Sequence, residues 1–274
     1  MKIALIGAGG KMGVRLAKNL SRSHHEVSYV EVSPVGIDRL RQEAQLEVTT
    51  QDDAVDGADV VIMAVPDTLI GKISATIVPH MRSGAMMMLL DPAAPCAGHL
   101  PERADVVYFV THPCHPSIFN EDPDEAARLD RFGGIAAKQA IINALMQGDE
   151  SQYPIGAEVA EIIWAPVLRT HRVTVEQMAL LEPALSETLT ASLLAVMQEG
   201  IEEVARRGVP EAAARDFLLG HMNILGAVTF GHIPGAFSDA CNKAIQFGKA
   251  RLMRDDWKGI FDKAEVDESI RRIT

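Results

Sequence analysis

Residues 2–13, KIALIGAGGKMG, decide the fold. Residues 2–6 carry an apolar run of strand length, which leads directly into Gly7-Ala8-Gly9-Gly10-Lys11-Met12-Gly13 and a helical pattern over 12–21. A strand that enters a glycine turn and leaves as a helix builds an anion site. One glycine makes the tight turn, and a second lets the backbone approach a pyrophosphate with no Cβ in the way. Gly13 lets the helix pack closely on the strand, and the helix N-terminus offers free N–H groups and a partial positive charge. The spacing departs from strict GxGxxG because residue 12 is Met. It reads as GxxGxxG through Gly7, Gly10 and Gly13, or as the standard form with one inserted residue. On either reading, Gly7, Gly10, Lys11, Met12 and Gly13 are the expected phosphate cradle of a dinucleotide.

The next strand signal, 26–32, closes on Glu31, 18 residues after Gly13. An acidic residue near that distance accepts hydrogen bonds from the adenosine ribose hydroxyls. Val32, Ser33 and Pro34 supply no cation for a 2′-phosphate, so NAD is expected rather than NADP. Further outward, the unbroken aliphatic runs 60–65, 86–90 and 106–110 alternate with helical stretches at 36–45 and 70–80. Strands without polar alternation, separated by helices, make a parallel sheet covered on both faces. The predicted fold is α/β, a Rossmann-type doubly wound parallel sheet followed by an all-α C-terminal domain.

Past residue 110 the pattern changes. Residues 117–134 read as a polar loop, 139–146 as a strand, 153–164 as a helix and 171–175 as a last strand. From 178 onward the period is helical. Pro183 suits the first turn of a long helix and Gly208 the position after its end. Helices are also expected over 211–227, 236–253 and 256–263. The predicted division is an NAD-binding domain, 1–177, and a helical substrate and dimerisation domain, 178–274. The latter is too small to bury its apolar faces alone. Leu185, Leu189, Ser192, Val196 and Gly200 fall near one face, so a homodimer is expected.

Composition narrows the function. Of 274 residues, 47% are hydrophobic and 23% charged, which fits a folded globular chain of about two domains. A net charge of −11 and 5% aromatic residues argue against nucleic acid as a partner. With no unbroken apolar window of about 20 residues, no membrane span is expected. The 3 cysteines form no CxxC pair and no even set, which points to a reducing, cytoplasmic setting.

Ligands of an open parallel sheet lie past the carboxyl ends of its strands. There, Val65, Pro66 and Asp67 are placed to wall the nicotinamide side. The run Thr111-His112-Pro113-Cys114-His115-Pro116 sets two imidazoles in a stiff turn. His112 or His115 is expected to take the proton from a substrate hydroxyl, or to bind a metal. Glu182 and Glu187 lie about 140° apart on an α-helix, at 100° per residue. Either can face the site, Glu182 as a metal ligand with His112, Glu187 as a catalytic or substrate-positioning carboxylate. Carboxylate plus imidazole suits Zn²⁺ or Mn²⁺, although no HExxH or paired-cysteine spacing is present.

With these residues named, the chain resembles the 6-phosphogluconate dehydrogenase and β-hydroxyacid dehydrogenase superfamily. The resemblance rests on the glycine turn, the Glu31 strand end, VVIMAVPD and the helical C-terminal half. The lysine position of β-hydroxyacid dehydrogenases, counted back from Glu199, falls on Pro183, so that family's simple chemistry is not implied. The segments FVTHPCHPSIFN and EPALSETLTASLLAVMQEGIEE resemble D-apionate oxidoisomerases. That resemblance implies NAD-dependent oxidation of a small branched sugar acid, with isomerisation of D-apionate to 3-oxo-isoapionate. Two alternatives stand beside it: a 3-hydroxyacid or prephenate-like dehydrogenase without rearrangement, and a non-catalytic NAD-sensing protein.

Overall fold

Strand β1 (Lys2–Ile6) is buried along its length after Lys2, as a strand without polar alternation must be at the centre of a covered sheet. In the computed structural model, which describes all 274 residues, it pairs in parallel with β2 (Glu26–Val30) and β3 (Val60–Met63). Strands β4 (Met86–Leu89) and β5 (Val107–Pro113) continue the parallel ladder. Strand β6 (Gln139–Gln147) runs antiparallel to β5, and β7 (Val167–Arg172) is parallel to β6. The seven-stranded order is β2-β1-β3-β4-β5-β6-β7. The doubly wound class is as expected, with one correction: the sheet is parallel-dominated, not wholly parallel. A parallel return needs a crossover, usually a long helix. The β5–β6 connection contains only α6 (Glu125–Leu129), one short helix within the stretch read as loop.

Alternate residues of the strands feed the two faces. Ile6, Met63, Met87, Leu89 and Val110 belong to one core cluster. Leu5, Ile62, Met86, Met88 and Phe109 belong to the other. Helices α1 (Lys11–Leu20), α2 (Pro34–Ala44), α3 (Gln51–Val55), α4 (Asp67–Ile77), α5 (Ala93–Cys96) and α7 (Tyr153–Ile163) cover the sheet. A Cβ on Gly156 of α7 would lie 2.5 Å from the Phe109 ring, so that glycine sets how closely the helix rests on β5.

The last strand is Val167–Arg172 rather than 171–175. Thr174 is withdrawn from the sheet because its side chain caps the next helix, in a capping box with Gln177. That helix is continuous from α8 (Val175–Ala179) through a π-helical stretch, Leu180–Ala191, into α9 (Ser192–Arg206). Pro183 therefore sits inside it rather than in its first turn. Proline has no N–H and clashes with the carbonyl four residues back in an α-helix, and the wider i→i+5 winding accommodates it. The Thr188 and Thr190 hydroxyls donate to the Pro183 and Leu185 carbonyls at 2.7 and 2.8 Å, five residues back. The 100°-per-residue arithmetic applied to Glu182 and Glu187 does not hold in this winding. A second correction concerns hydropathy: Val175–Arg206 is long and apolar enough to cross a membrane by length and composition alone.

The chain forms two compact units, residues 1–182 with 267–274, and residues 183–266. The second contains α9, α10 (Glu211–Thr229) and α11 (Asp239–Leu252). The expected helix at 256–263 is only a 3₁₀ turn, Trp257–Phe261. Helix α12 (Lys263–Ile273) follows unannounced. Its charge-rich sequence hides the apolar positions Val266 and Ile270, which are buried.

Candidate active site

The glycine turn lies at the point where chain connections diverge to either side of β1. Gly7 has φ +82°, a conformation open to glycine at little cost. A Cβ there would lie 2.3 Å from the Ala64 carbonyl at the end of β3. One on Gly13 would lie 2.0 Å from the Gly7 carbonyl, and one on Gly9 would lie 2.2 Å from that of Gly36. Gly10 differs, since nothing comes nearer than 3.4 Å to its Cβ position. Its missing side chain serves no internal packing and leaves room for a ligand. Gly10 is also the N-cap of α1, with no side-chain cap and no acid in the first turn. The orphan N–H groups and dipole of that helix end are thus available to an anion. Lys11 is exposed and Met12 half-buried beside them.

Glu31 is fastened to this turn. Its Oε2 accepts from Gly9 N–H at 3.0 Å, and its Oε1 accepts from Val32 and Ser33 N–H at 2.8 Å each. A carboxylate offers about four acceptor sites, which leaves capacity for a ribose hydroxyl. Arg39 Nη1 donates to the Gly9 carbonyl at 2.6 Å. Gly9, Gly36 and Arg39 escaped the sequence reading. Gly9 stood in the quoted run, but Arg39 carries no local signal of a contact 30 residues back.

At the carboxyl end of β5, Thr111 is fully buried. Its hydroxyl donates to Asn143 Oδ1 at 2.6 Å and accepts from Trp164 Nε1 at 3.0 Å. The strand end that carries His112 is thereby fixed. His112 Nδ1 lies 2.7 Å from the Leu90 carbonyl, which can only accept, so Nδ1 carries a proton, and a ring in that tautomer offers its Nε2 lone pair as the acceptor. That nitrogen is 3.4 Å from Glu182 Oε2, and Nδ1 is 3.7 Å from Asp91 Oδ2. Asp91 Oδ1 accepts from Ala93 N–H at 2.7 Å, which orients the carboxylate. Asp67 opens α4 close by. Its carboxyl is pushed up to about 6, by burial first and then by the charge of Asp91, with Glu182 adding to both. Its own backbone N–H and His112 oppose that shift.

Three carboxylates therefore crowd one imidazole. One ligand atom each from Asp91, His112 and Glu182 lies within 4.8 Å of the others. This nitrogen–oxygen donor set fits a divalent cation. It equally fits a proton exchanged at Nε2, since an acceptor lone pair facing a carboxylate invites a positive charge between them.

The other expected residues are more scattered. Val65 borders Gly7, its Cγ1 3.0 Å from the glycine's Cβ position, and Pro66 caps α4. His115 has φ +58°, and its Nδ1 is held by the Phe132 carbonyl at 2.8 Å, with its ring 6.1 Å from that of His112. Glu187 is exposed and belongs to the second unit. Asp91 was missed as a site residue although its Asp-Pro strand end obeys the same rule that singled out His112.

Comparison with known proteins supports a dehydrogenase frame. Residues 120–274 match the family model described as phosphogluconate dehydrogenase (decarboxylating) C-terminal domain. Residues 2–94 match that of NADP oxidoreductase, coenzyme F420-dependent. The chain is 66% identical over 273 residues to the D-apionate oxidoisomerase of Cupriavidus necator, covering 100% of this chain and 99% of that protein. It is 61% identical over 272 residues to the D-apionate oxidoisomerase of Rhizobium rhizogenes, covering 99% of each. A crystal structure of a semialdehyde dehydrogenase NAD-binding protein from Cupriavidus necator, in complex with calcium and NAD, superposes with a TM-score of 0.97. That protein is 65% identical, with 99% of each chain covered.

Proposed function

The chain belongs to the D-apionate oxidoisomerase family, and from that premise we propose that it oxidises D-apionate with NAD and rearranges the carbon skeleton to 3-oxo-isoapionate. The observation that carries the site assignment is His112, its tautomer fixed by Leu90 and its Nε2 lone pair held beside Glu182. NAD, when bound, accepts the hydride. Gly7, Gly10, Lys11, Met12 and Gly13 hold its pyrophosphate, Glu31 its ribose, and Val65, Pro66 and Asp67 wall its nicotinamide. His112 Nε2 takes the hydroxyl proton as hydride leaves the same carbinol carbon. The rearrangement then breaks one C–C bond at the neighbouring hydroxylated carbon and forms one at the new carbonyl carbon. A proton passes from that hydroxyl to the carbonyl oxygen. His115 positions the substrate. Residues 1–177 act as the NAD-binding domain and 178–274 as the substrate and dimerisation domain, in a cytoplasmic enzyme.

A second reading of the same cluster is favoured by its acidic crowding: Asp91, His112 and Glu182 hold a divalent cation, Zn²⁺ or Mn²⁺. Such an ion supplies Lewis acidity to a carbonyl beside a hydroxyl. The two readings diverge on chelation. If His112 is the proton acceptor without a metal, protein stripped with EDTA keeps full turnover. Loss of turnover restored by Mn²⁺ or Zn²⁺ establishes the second.

Carbon-13 NMR of the product formed from D-apionate and NAD tests the whole assignment. A rearranged skeleton is expected, and an unrearranged oxo acid replaces the proposal with simple dehydrogenation. Replacing Glu31 by Gln is expected to weaken NAD by about tenfold, since one carboxylate oxygen becomes a donor facing N–H groups, a loss of roughly 1–3 kcal/mol. Unchanged NAD affinity by titration calorimetry removes Glu31 from the cofactor site.

The homodimer rests on exposed apolar residues of the second unit. Val196, Phe217, Phe230 and Phe247 are 48%, 69%, 71% and 62% exposed. An apolar groove of about 670 Å³ lies between α9 and α10, lined by Met197, Gly200, Val204, Phe217 and Leu225 among others. Large exposed apolar patches mark association surfaces, and a second copy of the chain is the occupant proposed. Light scattering at micromolar concentration is expected to give twice the chain mass, and Phe217→Glu to give the monomer. A monomeric parent protein overturns the dimer.

A further inference from the structure

Away from the active site, the turn between α1 and β2 carries adjacent histidines, His24 and His25, and α7 brings Glu158 against them. His24 Nε2 and His25 Nε2 lie 3.8 and 3.7 Å from the same oxygen, Glu158 Oε1. The two rings are 4.0 Å apart between centroids. The His25 side chain is 1% exposed, and neither of its ring nitrogens has a hydrogen-bond partner. A buried polar side chain left unsatisfied calls for an explanation, and an unfilled ion site is one of the few available. A buried imidazole whose nitrogens no protein group engages offers a metal a free donor atom.

We propose that His24, His25 and Glu158 form a binding site for a divalent transition-metal ion, Zn²⁺ foremost, separate from the Asp91, His112 and Glu182 cluster. Two imidazoles and one carboxylate are borderline donors that match Zn²⁺. With Zn–N and Zn–O bonds of about 2.0 Å, tetrahedral ligands stand roughly 3.3 Å apart. The donor atoms already lie within 4.8 Å of one another, so a contraction of small size seats the ion. Movement is available where it is needed, because His24 and Glu158 are 75% and 50% exposed. Water completes the fourth position. The ion would tie the α1–β2 turn to α7, reinforcing the hold of Asn19, whose amide donates to the Ile163 and Ala165 carbonyls at 3.0 and 3.1 Å. Helix α1 carries the glycine turn at its other end, so the ion would fasten the element that holds NAD.

The test uses full-length His112→Ala protein, in which the other cluster has lost its imidazole. After chelation and dialysis, Zn²⁺ is titrated in competition with a chromophoric chelator, and Co²⁺ is followed by its visible absorption. One equivalent of Zn²⁺ with micromolar or tighter affinity is expected, with the intense absorption of four-coordinate Co²⁺. Adding His24→Ala or Glu158→Gln, both surface changes that spare the fold, should each weaken Zn²⁺ by at least about tenfold and remove the zinc-induced rise in melting temperature. The same changes in otherwise unaltered protein should leave turnover at saturating NAD equal to that of the parent under matched metal conditions. Zinc affinity indifferent to both substitutions, or no tighter than millimolar, overturns the proposal. Because the activity assay plays no part in the metal readout, failure here is distinct from failure of the catalytic assignment.

Discussion

Replacing His112 by Ala lowers turnover by about two to four orders of magnitude, the range of a positioned acid–base group, and leaves NAD affinity nearly unchanged. The ring touches the Leu90 carbonyl and the carboxylates of Glu182 and Asp91, none of which belongs to the glycine turn. Loss of the Leu90 hydrogen bond accounts for about 1 kcal/mol. The expected loss of transition-state stabilisation is roughly 3–5 kcal/mol at about 1.4 kcal/mol per decade, so a stability effect cannot mimic it. His112→Asn refines the test. Its amide can still donate to Leu90, yet no proton acceptor remains at the Nε2 position, so turnover should fall as far as in the alanine variant. Near-normal rates in His112→Asn would reduce His112 to a structural residue.

Gly13→Ala is the second large effect, and it acts on folding before cofactor binding. Its Cβ would sit 2.0 Å from the Gly7 carbonyl and 2.9 Å from the Ala8 carbonyl carbon. Both neighbours are backbone, so neither can rotate away. Strain of this kind costs about 1–3 kcal/mol and occasionally more, enough to lower the melting temperature by several degrees and to separate β1 from α1. Gly10→Ala is the control. Its Cβ meets nothing nearer than 3.4 Å, and its φ of −62° and ψ of 166° suit alanine. That variant should melt like the parent and lose NAD affinity by tenfold or more, about 1.4 kcal/mol, because the methyl group occupies the open approach to the helix N-terminus. Thermal melts and NAD titration of the pair decide it. Equal melting temperatures for the two variants would refute the packing role of Gly13, and full NAD affinity in Gly10→Ala would refute the pyrophosphate role of Gly10.

Much of this site was legible because it follows local rules. A glycine turn between strand and helix, a carboxylate at the next strand end and an imidazole at a buried strand's carboxyl end each have a short-range signature. The structure adds pairings that no local pattern encodes. Glu31, the proposed ribose acceptor, also fastens the turn through Gly9, and Asp91 joins His112 and Glu182 although these three are far apart in sequence. The π-helical winding around Pro183 is another such case. Proline inside an apolar, long helical pattern reads as a start signal, and only the continuous capping-box helix from Val175 shows it to be interior.

The doubly wound α/β class, the glycine turn and a pair of strand-end histidines, His112 and His115, are written in local sequence, and only the fold separates the two rings, setting His112 beside Asp91 and Glu182. Hydrophobic period and glycine placement act within a few residues, where steric rules leave little choice. Tertiary structure alone decided the antiparallel turn-back of β6, the tautomer of His112, the acidic crowd that raises Asp67, and the meeting of His24, His25 and Glu158. Each of these depends on distances between segments remote in the chain. Coulomb interactions, desolvation and hydrogen-bond geometry vary steeply with those distances and leave no periodicity in the sequence.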